Sequence, residues 1–155
     1  MRAADFFPFR HEARAGLLQA VRSLPPEHLE WKPAGGIRTC ADWLRHLGQM
    51  EDWWIQSVVQ GRPDFRPLPR HALGERREML AYLDFTRGQT EALLQEWPAA
   101  MLGETRRVPG PFRGGPTGPD VTLHWIMHNI FTHEVHHRGQ IYLYLRLMGI
   151  EPPSQ

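Results

Sequence analysis

His133 and His137, in the run "HEVHH" at residues 133–137, are two imidazoles one helical turn apart, with the carboxylate of Glu134 between them. On a helix that spacing puts both rings on one side, where their nitrogens can share a metal ion. Read as H-E-x-x-H the run is the signature of zinc proteases, with Glu134 as general base. Such enzymes take a third ligand downstream, a histidine or a glutamate on a later helix. The segment "RGQIYLYLRLMGIEPPSQ" that follows holds no histidine, and Glu151 lies past the point where the helix ends. No edge strand is readable on which a peptide would align. The protease reading fails on its missing third ligand.

Angular placement supplies another candidate. With His133 as origin, His137 lies at about 40°, and Ile126, Ile130, Gln140 and Tyr144 all fall within about 60°. The pair therefore sits in the apolar stripe. On an earlier periodic segment His46 shares its face with Trp43, Met50, Trp53 and Trp54, opposite Arg45, Gln49, Asp52 and Gln56. His124 and His128 point away from the stripe. Burying a polar ring without a partner costs a few kcal/mol, so three rings aimed at one interior need an account. Either each is satisfied separately, by a tyrosine, carboxylate or carbonyl, or His46, His133 and His137 hold one divalent ion. Three protein ligands with open positions is the arrangement of a catalytic metal site. Glu134, Gln140 and Tyr144 are the candidate catalytic groups beside it. Trp43 and Trp53 are core residues that can also wall a pocket. Cys40 is about 9 Å from His46 along a helix, too far for the same ion.

Four helical segments must position these residues: about 5–23, 39–59, 74–97 and 120–149. Thr39 with Asp42 reads as a capping box, Asp120 as an N-cap, and Gly149 as the residue that closes the last helix. "ETRRVPGPF" can hold a short extended piece. The expected fold is all-α, a four-helix bundle in a single domain over 1–155. The connections 61–73 and 98–119 are longer than helical hairpins need, which marks them as crossovers or binding loops. The second is too rich in proline and glycine to be helical. Its Arg106, Arg107 and Arg113 could meet an anionic thiol or acid at one wall of a substrate entrance.

Eighteen basic and seventeen acidic residues nearly cancel, so nothing points to nucleic acid or an anionic membrane. No apolar run reaches the roughly 18 residues of a membrane span. One cysteine excludes an internal disulfide framework and fits a reducing compartment. The N-terminus lacks the layout of a signal peptide, and a cytoplasmic location is expected. Phe131, Val135 and Tyr142, opposite the ligand face of the last helix, suggest a homodimer.

The run "FTHEVHHRGQIYLYLRLMGIEPP" closely resembles the C-terminal signature of the DinB/YfiT-like proteins, and "LEWKPAGGIRTCADWLRHLGQMEDWW" resembles their second-helix region. The resemblance implies a four-helix bundle with His46, His133 and His137 as metal ligands, the same three that the angular placement selects. Family members with assigned activities include thiol-dependent S-transferases and isomerases that use low-molecular-weight thiols. Others are described as metal-dependent hydrolases. Imidazole ligands suit zinc or nickel as cofactor, and the resemblance implies a low-molecular-weight thiol as co-substrate and S-transfer to a small electrophile. A hydrolase and a non-catalytic, stress-associated metal-binding protein are the alternatives.

Overall fold

The computed structural model describes residues 1–36, 38–110 and 118–154. Among them are four long helices: α1 (Arg10–Ser23), α2 (Cys40–Trp53), α3 (Arg76–Glu96) and α4 (Leu123–Leu147). A two-stranded antiparallel ribbon joins β1 (Thr105–Arg107) to β2 (Asp120–Thr122), with Thr105 opposite Thr122 and Arg107 opposite Asp120. The architecture is a four-helix bundle with long crossovers, as the periodicity predicts. No helix among the described residues is long and apolar enough to cross a membrane.

Local chemistry explains the helix ends. Thr39 Oγ1 accepts from the Asp42 amide at 3.1 Å, and Asp42 Oδ2 accepts from the Thr39 amide at 3.2 Å, the reciprocal capping box. Gly149 takes φ +76° just past α4, where a side chain would be strained. Two boundaries differ from expectation. The first helix does not begin at residue 5: Ala3–Phe6 is a 3₁₀ turn, and α1 starts at Arg10. Pro8 lies between, and its ring keeps Phe7 out of the helical region, at φ −128° and ψ 60°. Asp120 is not the cap of α4. Thr122 Oγ1 accepts from the Trp125 amide at 3.1 Å, while Asp120 pairs with Arg107 in the ribbon.

α2 does not stop at Trp53 but widens into a π-helical turn over Trp54–Val59, closed by Gln60 N–H to the Ile55 carbonyl at 2.9 Å. The polar side of α2, opposite His46, is covered as well. Arg45, Asp52 and Gln56 are buried. Arg45 donates to the Leu73 carbonyl in the crossover after α2, Asp52 accepts from Tyr82 of α3, and Gln56 meets Gln89 of α3. Helical periodicity reads polarity, and here the polar side chains are buried with their partners.

The apolar core falls into two clusters. One gathers Leu17, Leu44, Leu47, Leu83, Ile141 and Leu145, and the other Phe7, Ile55, Leu94, Ile126, Ile130 and Phe131. Between them lies a polar waist to which every helix contributes one buried charge: Arg14, Glu51, Arg87 and Glu134. Arg14 Nε reaches Glu134 Oε2 at 2.8 Å and its Nη2 reaches Glu51 Oε2 at 2.9 Å. Arg87 Nε reaches Glu51 Oε1 at 2.8 Å and its Nη2 reaches Glu134 Oε2 at 2.9 Å. Thr90 adds a hydroxyl to Glu51 at 2.7 Å. Burial alone would raise the Glu51 carboxyl, but the guanidiniums of Arg87 and Arg14 outweigh it and hold it below the usual range.

Removing one member of such a set leaves a buried charge uncompensated, which costs about 3–5 kcal/mol. Arg87→Met should therefore destabilise the protein by that order in urea denaturation. Adding Glu134→Gln to Arg87→Met should recover part of the loss, because the remaining charges again balance. Additive losses in the double variant would show that the four groups do not act as a unit.

Candidate metal centre

Directly beside this waist, α2 and α4 present three imidazoles to one another. The Nε2 atoms of His46 and His133 are 3.2 Å apart, and those of His133 and His137 are 2.9 Å apart. One ring nitrogen from each of the three lies within 4.8 Å of the others. Nitrogens that share a tetrahedral zinc at about 2.0–2.1 Å stand roughly 3.4 Å apart, so the three fit a single small cation. The structure brings together the three histidines that the angular placement selects. It leaves His124, His128 and His136 exposed.

The donor chemistry points the same way. His137 Nδ1 meets Gln140 Oε1, which only accepts. The proton therefore sits on Nδ1 and the lone pair of Nε2 faces the other rings. Protonation of the cluster is disfavoured. Burial, then the positive charge of Arg38 and the neighbouring histidines, pushes His46 down to about 4. His133 falls to about 4 through burial, then His137, His136 and Arg38. His137 is also lowered, chiefly by burial and against the opposing bond to Gln140. When His46 and His133 also turn lone pairs toward His137 Nε2, a cation among the three removes their mutual repulsion.

The other expected site residues divide. Trp43 stacks on His137, with ring centroids 4.4 Å apart and planes 27° apart. Gln140 holds His137, as just described. Tyr144 is buried, and its hydroxyl donates to the Arg38 carbonyl at 3.1 Å. Glu134 lies in the ion network of the waist, where Oε2 accepts from two arginines. Trp53 packs edge-on against Trp54 in the second apolar cluster. Arg106 bonds to the Val59 carbonyl and to Glu104, and Arg107 to the Gly118 carbonyl and Asp120. Val59 is about 20 Å along the helix from His46, so the ribbon holds these two arginines at one end of the bundle. Arg113 lies outside the described residues. Cys40 is fully buried, and burial pushes its thiol up to about 11.

Arg38 is the residue that sequence reading missed. It precedes the capping box, and its guanidinium carbon lies 5.2 Å from the Trp43 ring centroid. The loop "PAGGIR" gave no periodic signal, so nothing in the sequence aimed this side chain at the histidines.

The low proton affinity of these histidines has a consequence for stability. In the unfolded chain a histidine titrates near 6.5, whereas His46 and His133 resist protonation to about 4 in the fold. Between those values the unfolded chain binds protons that the fold does not, so stability falls as pH falls through this window. Metal-free protein should lose stability from about pH 6.5 toward pH 4, and His46→Gln/His133→Gln should lose less over the same window. Denaturant titrations across that range measure both slopes, and equal slopes would contradict the assignment.

Among curated protein sequences, none matches this chain. A crystal structure of a DinB-like protein from Bacillus subtilis superposes with a TM-score of 0.65 at 17% sequence identity, covering 98% of this chain and 94% of that one. At that identity the likeness concerns the fold. The family pattern of the DinB superfamily matches residues 11–141, a span that includes all three clustered histidines. A bundle of this architecture, matched over most of its length, belongs to the DinB superfamily.

Proposed function

We propose that this protein is a metal-dependent enzyme in which His46, His133 and His137 hold zinc or nickel, and that it catalyses thiol-dependent S-transfer to a small electrophile. The observation that carries the reading is the convergence of three imidazole nitrogens, 2.9 and 3.2 Å apart, from two facing helices. A divalent ion held by three neutral imidazoles keeps its full charge and stabilises a thiolate or a hydroxide near neutral pH.

The resemblance to thiol-dependent members of the family is what puts the thiol ahead of water, since the same ion would also lower the pKa of a bound water. Glu51 and Oε2 of Glu134, the buried carboxylates nearest in sequence to the ligands, are engaged by Arg14 and Arg87. In this reading Glu134 is a positioning residue that fixes the rotation of α4. Gln140 sets the tautomer of His137, and Trp43 shields one face of that ring from water. Tyr144 is committed to the Arg38 backbone. The buried single cysteine agrees with a reducing, cytoplasmic setting.

A homodimer is part of the proposal, on a surface that keeps Val135 from the one first expected and adds Phe6 and Phe9. Phe131 and Tyr142 are buried within the chain: Phe131 packs on Phe7, and the Tyr142 hydroxyl donates to the Gly16 carbonyl. Exposed apolar side chains remain beside them at Phe6, Phe9 and Val135, bordering a cleft of about 240 Å³. Phe9→Asp should convert a dimeric sedimentation profile at micromolar concentration to a monomeric one, and a wild-type monomer would remove this part of the reading.

His46→Ala should lower bound metal to below about a tenth of wild type, because two ligands on one helix leave the ion mostly exposed to water. Helicity by circular dichroism should persist. His124→Ala and His128→Ala should retain full occupancy by elemental analysis. Full occupancy in His46→Ala would end the three-histidine reading.

A further inference from the structure

Arg38, the N-terminal half of α2 and the crossover after it enclose a recess of about 290 Å³, lined by Arg38, Asp42, Arg45, Gln49 and Arg70. Three of its five lining residues are cationic, and two of those are already answered. Arg45 donates to Glu30 at 2.7 Å and Asp42 at 3.1 Å. Arg70 reaches Asp42 at 2.5 Å and Glu30 at 3.7 Å. Two carboxylates thus balance two guanidiniums.

Arg38 has no carboxylate partner among the described residues. Its guanidinium lies over Trp43, which also stacks on the ring of His137 and meets His46 edge-on. Arg38, Trp43 and the candidate metal ligand therefore form a continuous stack. The Trp43 indole N–H is buried and also lacks an acceptor among the described residues. An arginine fork is a donor only, so the recess offers the unanswered guanidinium of Arg38, one indole away from His137. Arg38 is also held in place, since its carbonyl accepts from the Tyr144 hydroxyl.

We propose that Arg38, with the recess it borders, binds a carboxylate on the ligand whose other end reaches the three-histidine centre. This rests on the reading of that centre as a metal site and adds the class of ligand: a small acid, and for S-transfer a thiol that carries a carboxylate. The sign of the charge agrees. A divalent ion, three neutral imidazoles and Arg38 sum to three positive charges, and a thiolate that also bears a carboxylate neutralises two of them. A bidentate arginine–carboxylate pair also fixes the orientation of its ligand. A cationic thiol meets repulsion in the same place.

The test uses full-length protein loaded with cobalt, whose visible absorption reports on its ligands. Mercaptopropionate, mercaptoethanol and cysteamine are titrated separately, and each affinity is compared between wild type and Arg38→Ala so that intrinsic thiol acidity cancels. Arg38→Ala should weaken mercaptopropionate about ten-fold, leave mercaptoethanol within about two-fold, and leave cysteamine unchanged or tighter. Arg38→Lys should fall between, and Arg22→Ala, which removes an exposed cation of α1 away from the recess, should behave as wild type. Cobalt content should be the same in all of these. Equal weakening of all three thiols, or none, in Arg38→Ala overturns the proposal. If no thiol gives a thiolate–cobalt band, the thiol reading falls separately, and propionate binding followed through the cobalt spectrum decides the subsite. Loss of propionate binding in Arg38→Ala upholds the carboxylate site, and its retention refutes it. Retention of cobalt by His46→Ala would instead place the fault in the metal centre.

Discussion

Four buried charges, one from each helix, hold this bundle at its waist. Arg14, Glu51, Arg87 and Glu134 alternate in sign around a closed set of contacts. Desolvating such groups is costly, and the cost is recovered only when each finds its partners in good geometry. That requirement is directional, unlike the burial of leucine, and it fixes how each helix is turned about its own axis. Glu51 follows His46 on α2, and Glu134 adjoins His133 on α4. A rotation that broke the ion set would also swing the imidazoles out of register. The position of the histidines therefore depends on charges that touch none of them.

The H-E-x-x-H spacing acquires a different meaning here from the one it has in proteases. Adjacent residues on a helix are about 100° apart, so a glutamate next to a ligand cannot share the ligand's direction. In this bundle that offset sends Glu134 into the waist while His133 and His137 face α2. One short run thus serves two layers. The waist is electrically balanced and closed, whereas the histidine centre has an arginine beside it and no carboxylate within its cluster. A single chain segment links a structural layer of matched charge to a functional layer of unmatched charge.

The sequence made the histidine centre legible because apolar neighbours mark a helix face, and His46, His133 and His137 stand among them. The four-helix fold and the Thr39–Asp42 cap were legible for similar local reasons. Long-range polar pairing was not. Arg45, Asp52 and Gln56 fall on the polar side of a helical projection, which cannot register that a crossover and α3 supply their partners. Arg38 escaped for a related reason: it sits in a loop, where no periodicity assigns a direction. The interruption at Pro8 was readable but was outvoted by the apolar spacing on either side of it. The cap at Thr122 was hidden because the ribbon claims Asp120, and a ribbon of three residues a side is too short to announce itself by alternation.

The π-helical turn at Trp54–Val59 separates two demands on one helix. Upstream, α2 must aim His46 at α4 and Glu51 at the waist; downstream, it must aim Trp54, Ile55 and Val58 into the second apolar cluster. A uniform α-helix ties those two orientations together, since each residue advances by the same angle. The wide turn accommodates one residue more than an α-turn would and so acts as a vernier between them. A lineage could therefore gain or lose a residue in this stretch, and remodel the far end of the bundle, without disturbing the direction of a single imidazole.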